Sequence, residues 1–202
     1  LLVLAVVGSG IRGQPISLDP GTALLANTMA TAMALYILIT VLAPVSGGHI
    51  NPIVTLAFAL RGDLSPRLAM VYVPAQLIGG ICGTLTAHAL FGTALWQLSS
   101  APHDGPAQWA SEVIASFGLI FIILGGIHAR ANVPALVAAY IAAAIWFTPS
   151  SSFANPAGAL ARALSNSYTG IRLADVPAFW LAEVLGALAA FVLGRWLFTR
   201  DS

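Results

Sequence analysis

The tripeptide Asn51-Pro52-Ile53 recurs near the other end of the chain as Asn155-Pro156-Ala157, and each copy follows a stretch rich in glycine or serine. Short apolar segments then follow, at 54–60 and 158–164. Asn is a favoured helix N-cap, and Pro is favoured at the first helical position, where its missing N–H needs no partner. Each copy therefore predicts a short helix whose free N–H groups and positive dipole end face one point. Two such starts in one apolar chain predict two half-helices that meet inside a membrane.

The composition places the chain in a lipid bilayer. Of its 202 residues, 58% are apolar and only 7% are charged, whereas about a quarter are charged in ordinary soluble domains. The net charge of +1 argues against nucleic acid as a partner, and the single Cys82 excludes an internal disulfide framework. We expect no cofactor and no metal site. A chain of this length supplies about six to eight membrane segments of roughly 20 residues each.

Apolar runs divide the chain into predicted spans. Residues 1–11 indicate the end of a first helix and not a signal peptide, and we expect a Pro- and Gly-rich loop over 13–21. Pro44 and the Ser46-Gly47-Gly48 turn are predicted to break the second helix. The predicted full spans are 22–43, 67–91, 109–129, 133–147 and 176–198.

Two local matches indicate that the chain is one domain built from two repeats, at about 1–92 and 109–200. The Asn-Pro pairs match, and Ala75-Gln76-Leu77-Ile78-Gly79 matches Ala182-Glu183-Val184-Leu185-Gly186 at nearly the same offset. Each half then holds three full helices and one half-helix, so the second half inserts upside down relative to the first. Inverted repeats with discontinuous helices at the midplane mark a translocation pathway.

The basic residues, all arginines, predict the orientation. An excess of them marks the cytoplasmic side of a membrane protein, which favours cytoplasmic termini and, given the lysine-free, alanine-rich composition, a bacterial inner membrane. One side holds Arg61, Arg67, Arg130, Arg195 and Arg200, and the other holds Arg12, Arg162 and Arg172.

The paired Asn residues also predict a chemistry. Each side-chain amide can donate a hydrogen bond to a passing solute, and two opposed helix dipoles repel cations, protons included. A neutral solute therefore passes while ions do not. The alternative is that each Asn-Pro merely caps an interfacial helix, but two copies at matched positions favour the pore.

The Asn-Pro boxes, the lead-in Ser46-Gly47-Gly48-His49, Gln76 and Glu112 together resemble the aquaporin family, also called the major intrinsic proteins. The resemblance covers the whole chain. It implies an all-α integral membrane protein with a right-handed bundle of six transmembrane helices and two re-entrant half-helices. It also implies a pore in every protomer of a homotetramer, and a Glu112 that holds the backbone of the second re-entrant loop. Glu183 stands where the family more often has Gln.

Two departures from the family pattern bear on selectivity. Ile53 replaces the usual Ala of the first box and is expected to enlarge the apolar wall beside Asn51. Gly158 replaces the arginine that usually follows the second box. The resemblance and the spacing from the boxes place the selectivity filter at Thr31, Ala144 (or Ala143, since the loop is one residue short), Ser152 and Gly158. Such a ring has little bulk and no fixed charge, so we expect a wide, mildly polar filter.

Two further side chains are candidates for the pore mouths. Arg162 lies one helical turn beyond Gly158 on the same face, so it is a candidate to replace the missing charge in the vestibule. Alternatively, it snorkels at the end of the half-helix, paired with Asp175. His49 could gate the pore by pH, although a histidine in this position more often has a packing role.

The segment 146–162 resembles a bacterial branch of the family that lacks the filter arginine, some members of which are linked to arsenic resistance. This implies a passive channel for metalloid hydroxides such as arsenite and for glycerol-like polyols, with water as co-permeant. The alternative is a water-selective channel in which Arg162 completes the filter. A coupled transporter would need a titratable group at the midplane, and an enzyme would need clustered catalytic residues; the sequence offers neither. The small filter residues argue against a closed junction protein.

Overall fold

The computed structural model describes residues 1–16 and 19–198, which form eight α-helices and no strand. Six helices are long and two are short, which confirms the predicted fold class. Four segments are long and apolar enough to cross a membrane: α2, α4, α5, and α8 with the preceding turn of 3-10 helix Leu173–Asp175. The bounds are α1 Leu2–Ile16, α2 Pro20–Ser46, α3 Pro52–Arg61, α4 Pro66–Leu90, α5 Pro106–His128, α6 Val133–Phe147, α7 Pro156–Arg162 and α8 Val176–Phe198.

The first connection is shorter than predicted. Helix α1 continues to Ile16, and its buried Gly13 packs against Ala23 of α2 at ordinary van der Waals distance. Helix α2 then begins at Pro20, and the Asp19 carboxylate caps it by accepting a hydrogen bond of 2.9 Å from the Thr22 N–H. The predicted loop over 13–21 is therefore wrong for 13–16, which belong to α1, and for 20–21, which begin α2.

The second helix ends at the glycine turn, as predicted, and not at Pro44. Pro44 lies in the last turn of α2, which runs on to Ser46 and stops at Gly47. A proline removes only one N–H, and so close to a helix end the loss interrupts little of the hydrogen-bond ladder. Gly47 ends the helix because it adopts a φ of 78°, a left-handed conformation that glycine reaches without strain.

The two short helices begin where the Asn-Pro pairs predict. The Asn51 side-chain oxygen accepts a hydrogen bond of 3.1 Å from the Ile53 N–H. The Asn155 oxygen accepts from the N–H groups of Ala157 and Gly158, at 3.1 and 3.2 Å. Both asparagines are thus N-caps and both prolines occupy the first helical position.

The helix contacts within the first half of the chain correspond to those within the second half. The pairs α1–α2 and α1–α4 have counterparts in α5–α6 and α5–α8, and α4–α7 corresponds to α8–α3. Helix α2 packs on α6, and α3 contacts α7. The short helices are therefore held between the halves, each resting on the last helix of the other half.

The outward face of α2 is apolar. Met29, Met33, Ile37 and Val41 recur every four residues and are 48%, 56%, 57% and 61% exposed. In water so large an apolar stripe would be unfavourable, whereas lipid covers it at no cost. This face fits the bilayer assignment.

The two ends of the bundle carry different side chains. Arg61, His128 and Arg195 line one small cavity, at what we call the Arg61 end. Arg162 lies at the opposite end, where its guanidinium bonds to Thr169 and Thr169 packs against Gly10 of α1. We call this the Arg162 end. Arg200, counted above in the orientation prediction, lies outside the described residues.

Candidate pore

A cavity of about 230 Å³ lies at the centre of the bundle, between α1, α2, α5, α6 and the two re-entrant loops. Its lining extends from His49 and Phe58, beside the first loop, to Arg162 and Thr169 at the Arg162 end. Both Asn51 and Asn155 are part of its wall. The cavity therefore passes the point where the two half-helices begin.

The two asparagines are linked by reciprocal hydrogen bonds. The Asn51 side-chain N–H donates to the Ala154 carbonyl at 2.6 Å, and the Asn155 side-chain N–H donates to the Ile50 carbonyl at 3.1 Å. Each amide thus binds the residue that precedes the other asparagine. This exchange fixes both side chains at the meeting point of α3 and α7.

Each asparagine keeps donor capacity for a solute. A carboxamide carries two N–H donors, and one from each residue is used in the reciprocal pair. Because both residues line the cavity, the second N–H of each can bond to a hydroxyl or water oxygen there. The N-terminal ends of two helices face the same place and add partial positive charge.

The backbone before Asn155 is held from behind by two buried carboxylates. Glu112 accepts hydrogen bonds from the N–H groups of Phe153 and Ala154, at 2.9 and 2.7 Å, and Glu183 accepts from the Asn155 N–H at 2.9 Å. In a trans peptide the carbonyl points away from its N–H. The carbonyls of Ser152 and Phe153 are therefore directed away from Glu112, on the side where this loop borders the cavity.

The first re-entrant loop is held differently. The Gln76 side-chain N–H groups donate to the His49 carbonyl at 2.6 Å and to the Thr55 hydroxyl at 2.8 Å. A neutral amide thus takes the place that carboxylates have in the second loop.

Three of the four predicted filter residues line the cavity: Thr31, Ser152 and Gly158. Thr31 and Ser152 are 7% and 5% exposed, and their hydroxyls have no hydrogen-bond partner among the described residues. A Cβ added at Gly158 would meet nothing nearer than the Asn155 Cβ, at 3.5 Å. The position that usually carries arginine in the family is thus open.

The fourth predicted filter residue, Ala144, is fully buried and is not part of the cavity wall. Helix α6 instead presents residues spaced by four to the cavity, which is the spacing of one helix face. Counting back from the second box gives Ala144, which is one position away from Ile145 on that face. The cavity-lining residues of α6 are Val133, Val137, Ile141 and Ile145.

Among the box residues only the asparagines line this cavity. Ile53 is 1% exposed and belongs to the apolar core with Ala57 and Ala154, so it does not enlarge the wall beside Asn51 as predicted. Pro52, Pro156 and Ala157 are buried too, and none of them lines the cavity. Their contribution is to start and seat the short helices.

Arg162 lines the cavity, as one of the two alternatives predicted. Its guanidinium carbon lies 3.4 Å from the centroid of the Phe153 ring, and its Nε donates to the Thr169 carbonyl. The expected pairing with Asp175 is wrong, because the Asp175 carboxylate accepts from Arg172 at 2.8 Å. Stacking on Phe153 holds the charge of Arg162 beside the vestibule.

His49 packs between two aromatic rings, with centroids 4.4 Å from that of Phe58 and 6.0 Å from that of Tyr72. It is 8% exposed, and its carbonyl accepts the Gln76 bond described above. These contacts support the packing role.

Several cavity-lining residues were not predicted from the sequence: Asn27, His103, Phe153, Tyr168 and Thr169. Asn27 carried a signal, since it is a polar side chain in an apolar span one turn before Thr31. The others lie in loops, whose course no sequence periodicity predicts.

Comparison with known proteins agrees with this geometry. The family model described as "Major intrinsic protein" matches residues 1–193. An aquaglyceroporin, AqpS of Rhizobium meliloti, is 52% identical over 198 residues, 98% of this chain and 85% of the relative. A probable aquaporin TIP2-2 of Oryza sativa is 27% identical over 213 residues, covering 98% of this chain and 83% of the relative. The X-ray structure of the aquaglyceroporin from Plasmodium falciparum has a TM-score of 0.71 at 21% identity, over 98% of this chain and 91% of that one, and thus has the same fold.

Proposed function

The chain belongs to the major intrinsic protein family, and we propose that it is a passive channel for water and small uncharged solutes, with no catalytic activity. The observation that carries this proposal is the reciprocal bonding of Asn51 and Asn155 inside the central cavity. It leaves one N–H of each amide for a solute and fixes two helix N-termini at one point. Partial positive charge there excludes cations and protons, whereas neutral molecules with hydroxyl groups pass.

The solutes we propose are glycerol-like polyols and metalloid hydroxides such as arsenite, which is an uncharged triol at neutral pH. Support comes from the open space at Gly158 and from the unpartnered hydroxyls of Thr31 and Ser152. A filter without a fixed arginine admits a solute wider than water and offers it hydrogen-bond partners. The relative named an aquaglyceroporin agrees with this assignment.

A second candidate function is a water-selective channel. The observation that favours it is the position of Arg162, which lines the same cavity as Gly158 and is held there by Phe153 and Thr169. If its guanidinium narrows the passage, it completes the filter from one turn further along α7.

The family and the arginine distribution support a proposal for location and assembly. We propose a multi-pass protein of a bacterial inner membrane with cytoplasmic termini, so that the Arg162 end faces outward. We also propose a homotetramer in which each protomer has its own pore.

Stopped-flow permeation of proteoliposomes tests the proposal. Native protein should raise permeability to water, glycerol and arsenite, and Gly158→Arg should reduce glycerol and arsenite permeability at least tenfold while retaining water. Gly158→Ala is the matched control, because it adds bulk at the same position without charge. If native vesicles pass water alone, the water-selective alternative is correct and the solute assignment is wrong.

A further inference from the structure

Asn27 is the polar side chain of α2 that the proposed function leaves without a role. It is 6% exposed and lines the central cavity, one helical turn from Thr31. The family resemblance does not include it among the filter residues.

Both amide hydrogens of Asn27 are used. Its Nδ2 donates to the Val6 carbonyl at 2.8 Å and to the Ser9 hydroxyl at 2.9 Å. The Ser9 hydroxyl donates in turn to the Ala5 carbonyl at 2.6 Å, so its oxygen is free to accept. The same hydroxyl also lies 3.2 Å from the Val6 carbonyl, so both acceptors of the Ser9 proton are backbone carbonyls and the Asn27 amide supplies the hydrogen of the bond between the two side chains.

This arrangement fixes which way the amide points. Exchanging the nitrogen and oxygen of Asn27 would place two acceptors against each other at the Val6 carbonyl. The Oδ1 atom consequently lies on the side away from Val6, and both hydrogen bonds that the side chain forms among the described residues use Nδ2 and leave Oδ1 free. It is a fixed acceptor on a residue that lines the cavity.

Asn27 precedes Thr31 on the way in from the Arg162 end. Helix α2 begins at that end, because it follows α1, whose Gly10 packs against Thr169. Four residues correspond to about 6 Å along a helix, so a solute from that end meets Asn27 before the proposed filter. The Val6–Ser9 turn that holds Asn27 directly precedes Gly10.

We propose that Asn27 is a specificity-determining residue: its Oδ1 accepts a hydrogen bond from a neutral polyhydroxy solute entering at the Arg162 end. The inference rests on the proposed function and deepens it. A solute entering the cavity loses hydrogen bonds to water, and a fixed acceptor on α2 replaces one of them. The neighbouring α6 wall is aliphatic, so a solute with several hydroxyls gains more from Asn27 than water, which needs fewer partners.

The experiment is stopped-flow permeation of proteoliposomes, reported as the ratio of glycerol to water permeability. Asn27→Leu, which keeps the size and removes the acceptor, should lower this ratio about 3- to 10-fold, the factor expected for one hydrogen bond. Ser9→Ala releases one of the two tethers and should lower the ratio by a smaller factor, about twofold. Thr28→Val is the matched control, because Thr28 is buried beside Asn27, bonds only to Leu24 of its own helix and does not line the cavity.

The outcomes separate the two proposals. If neither Asn27→Leu nor Ser9→Ala changes the ratio, or if glycerol and water permeability fall by the same factor, Asn27 is only a tether between α1 and α2. Ser9→Ala leaves the bond from Asn27 to Val6 in place, so this variant still tests the role of Asn27 if Asn27→Leu does not fold. If native vesicles pass no more glycerol than protein-free vesicles, the proposed polyol function fails first, and the role of Asn27 fails with it.

Discussion

The two re-entrant loops reach the same point by different backbone routes. In the first, the left-handed positions are Gly47 and Gly48, with φ of 78° and 68°. In the second, they are Ser151, Ser152 and Ala154, with φ of 58°, 48° and 42°. A residue with a Cβ in this conformation costs roughly 1–2 kcal/mol, whereas glycine does not. The second loop is therefore strained and the first is not.

The side chains that anchor the two loops differ too, and the strained second loop has the stronger anchors. One neutral amide, Gln76, holds the first loop through the His49 carbonyl. Two carboxylates, Glu112 and Glu183, hold the second through three N–H groups. Charge-assisted hydrogen bonds are about twice as strong as neutral ones. The comparison indicates that the carboxylates offset the strain of the loop whose carbonyls border the cavity.

The largest predicted effect is that of Glu112→Ala. It leaves the N–H groups of Phe153 and Ala154 buried without acceptors, at about 1–3 kcal/mol each, so we expect a stability loss of about 2–6 kcal/mol. Thermal denaturation in detergent measures it. Gln76→Ala is the counterpart in the unstrained loop and should cost less. An equal loss for both variants would mean that the carboxylate does not compensate strain.

The next effect concerns the boxes themselves. Ile53→Ala restores the more usual triplet but empties a fully buried site, which costs about 2–5 kcal/mol, and it should leave permeability unchanged because Ile53 does not line the cavity. The neighbouring Val54 does line it, so Val54→Ala is the control in which permeability changes more than stability. A change of solute selectivity in Ile53→Ala would contradict the placement of this side chain in the core.

A large third residue fits in the first box but not in the second. Helix α7 packs closely on α4, where a Cβ on Gly80 would lie 3.1 Å from the Ala157 carbonyl oxygen. The Thr84 hydroxyl also donates to the Ala161 carbonyl at 2.9 Å. Small residues in α7 are thus required by this contact, whereas Ile53 in α3 faces an apolar core.

Sequence patterns predicted what depends on local rules. The Asn-Pro pairs predicted the starts of α3 and α7, and apolar run length predicted both ends of α6 and the start of α8 to the residue. Ala144 shows the limit, because the face that a helix turns toward a cavity depends on packing against other helices. The same applies to Arg162, whose partners Phe153 and Thr169 come together only through the path of two loops.

The stability of the protein should depend on pH through His103, a buried histidine beside the second loop. The His103 ring packs on Phe153 and Phe179, with centroids 5.4 and 5.9 Å apart. Burial lowers the pKa of His103 and Arg162 lowers it further, while the Ala101 carbonyl and Asp175 act in the opposite direction. The native state therefore takes up this proton at lower pH than the unfolded chain, whose histidine has a pKa of about 6.5.

The sign of the stability change follows from proton linkage. Above pH about 6.5 the stabilisation that comes from keeping His103 neutral is fully present. It is lost as the pH falls toward the lower pKa of His103 in the native state, because the unfolded chain binds the extra proton first. We expect the melting temperature of native protein to fall more between pH 7 and pH 5 than that of His103→Phe. Parallel pH profiles for the two proteins would show that His103 is not the group responsible.

The smallest predicted effect tests whether the second loop needs both carboxylates. Glu183→Gln keeps the Oε1 acceptor for the Asn155 N–H and places an NH₂ group where Oε2 has no partner among the described residues. We therefore expect a stability change below about 1 kcal/mol and unchanged permeability, since the Asn155 N–H keeps its acceptor and only the strength of one hydrogen bond changes. Glu183→Leu, which leaves the Asn155 N–H unpaired, should cost about 1–3 kcal/mol. If Gln is as damaging as Leu, the second loop depends on the charge of Glu183 as well as on its acceptor, and the contrast with Gln76 in the first loop is sharper than the hydrogen bonds alone indicate.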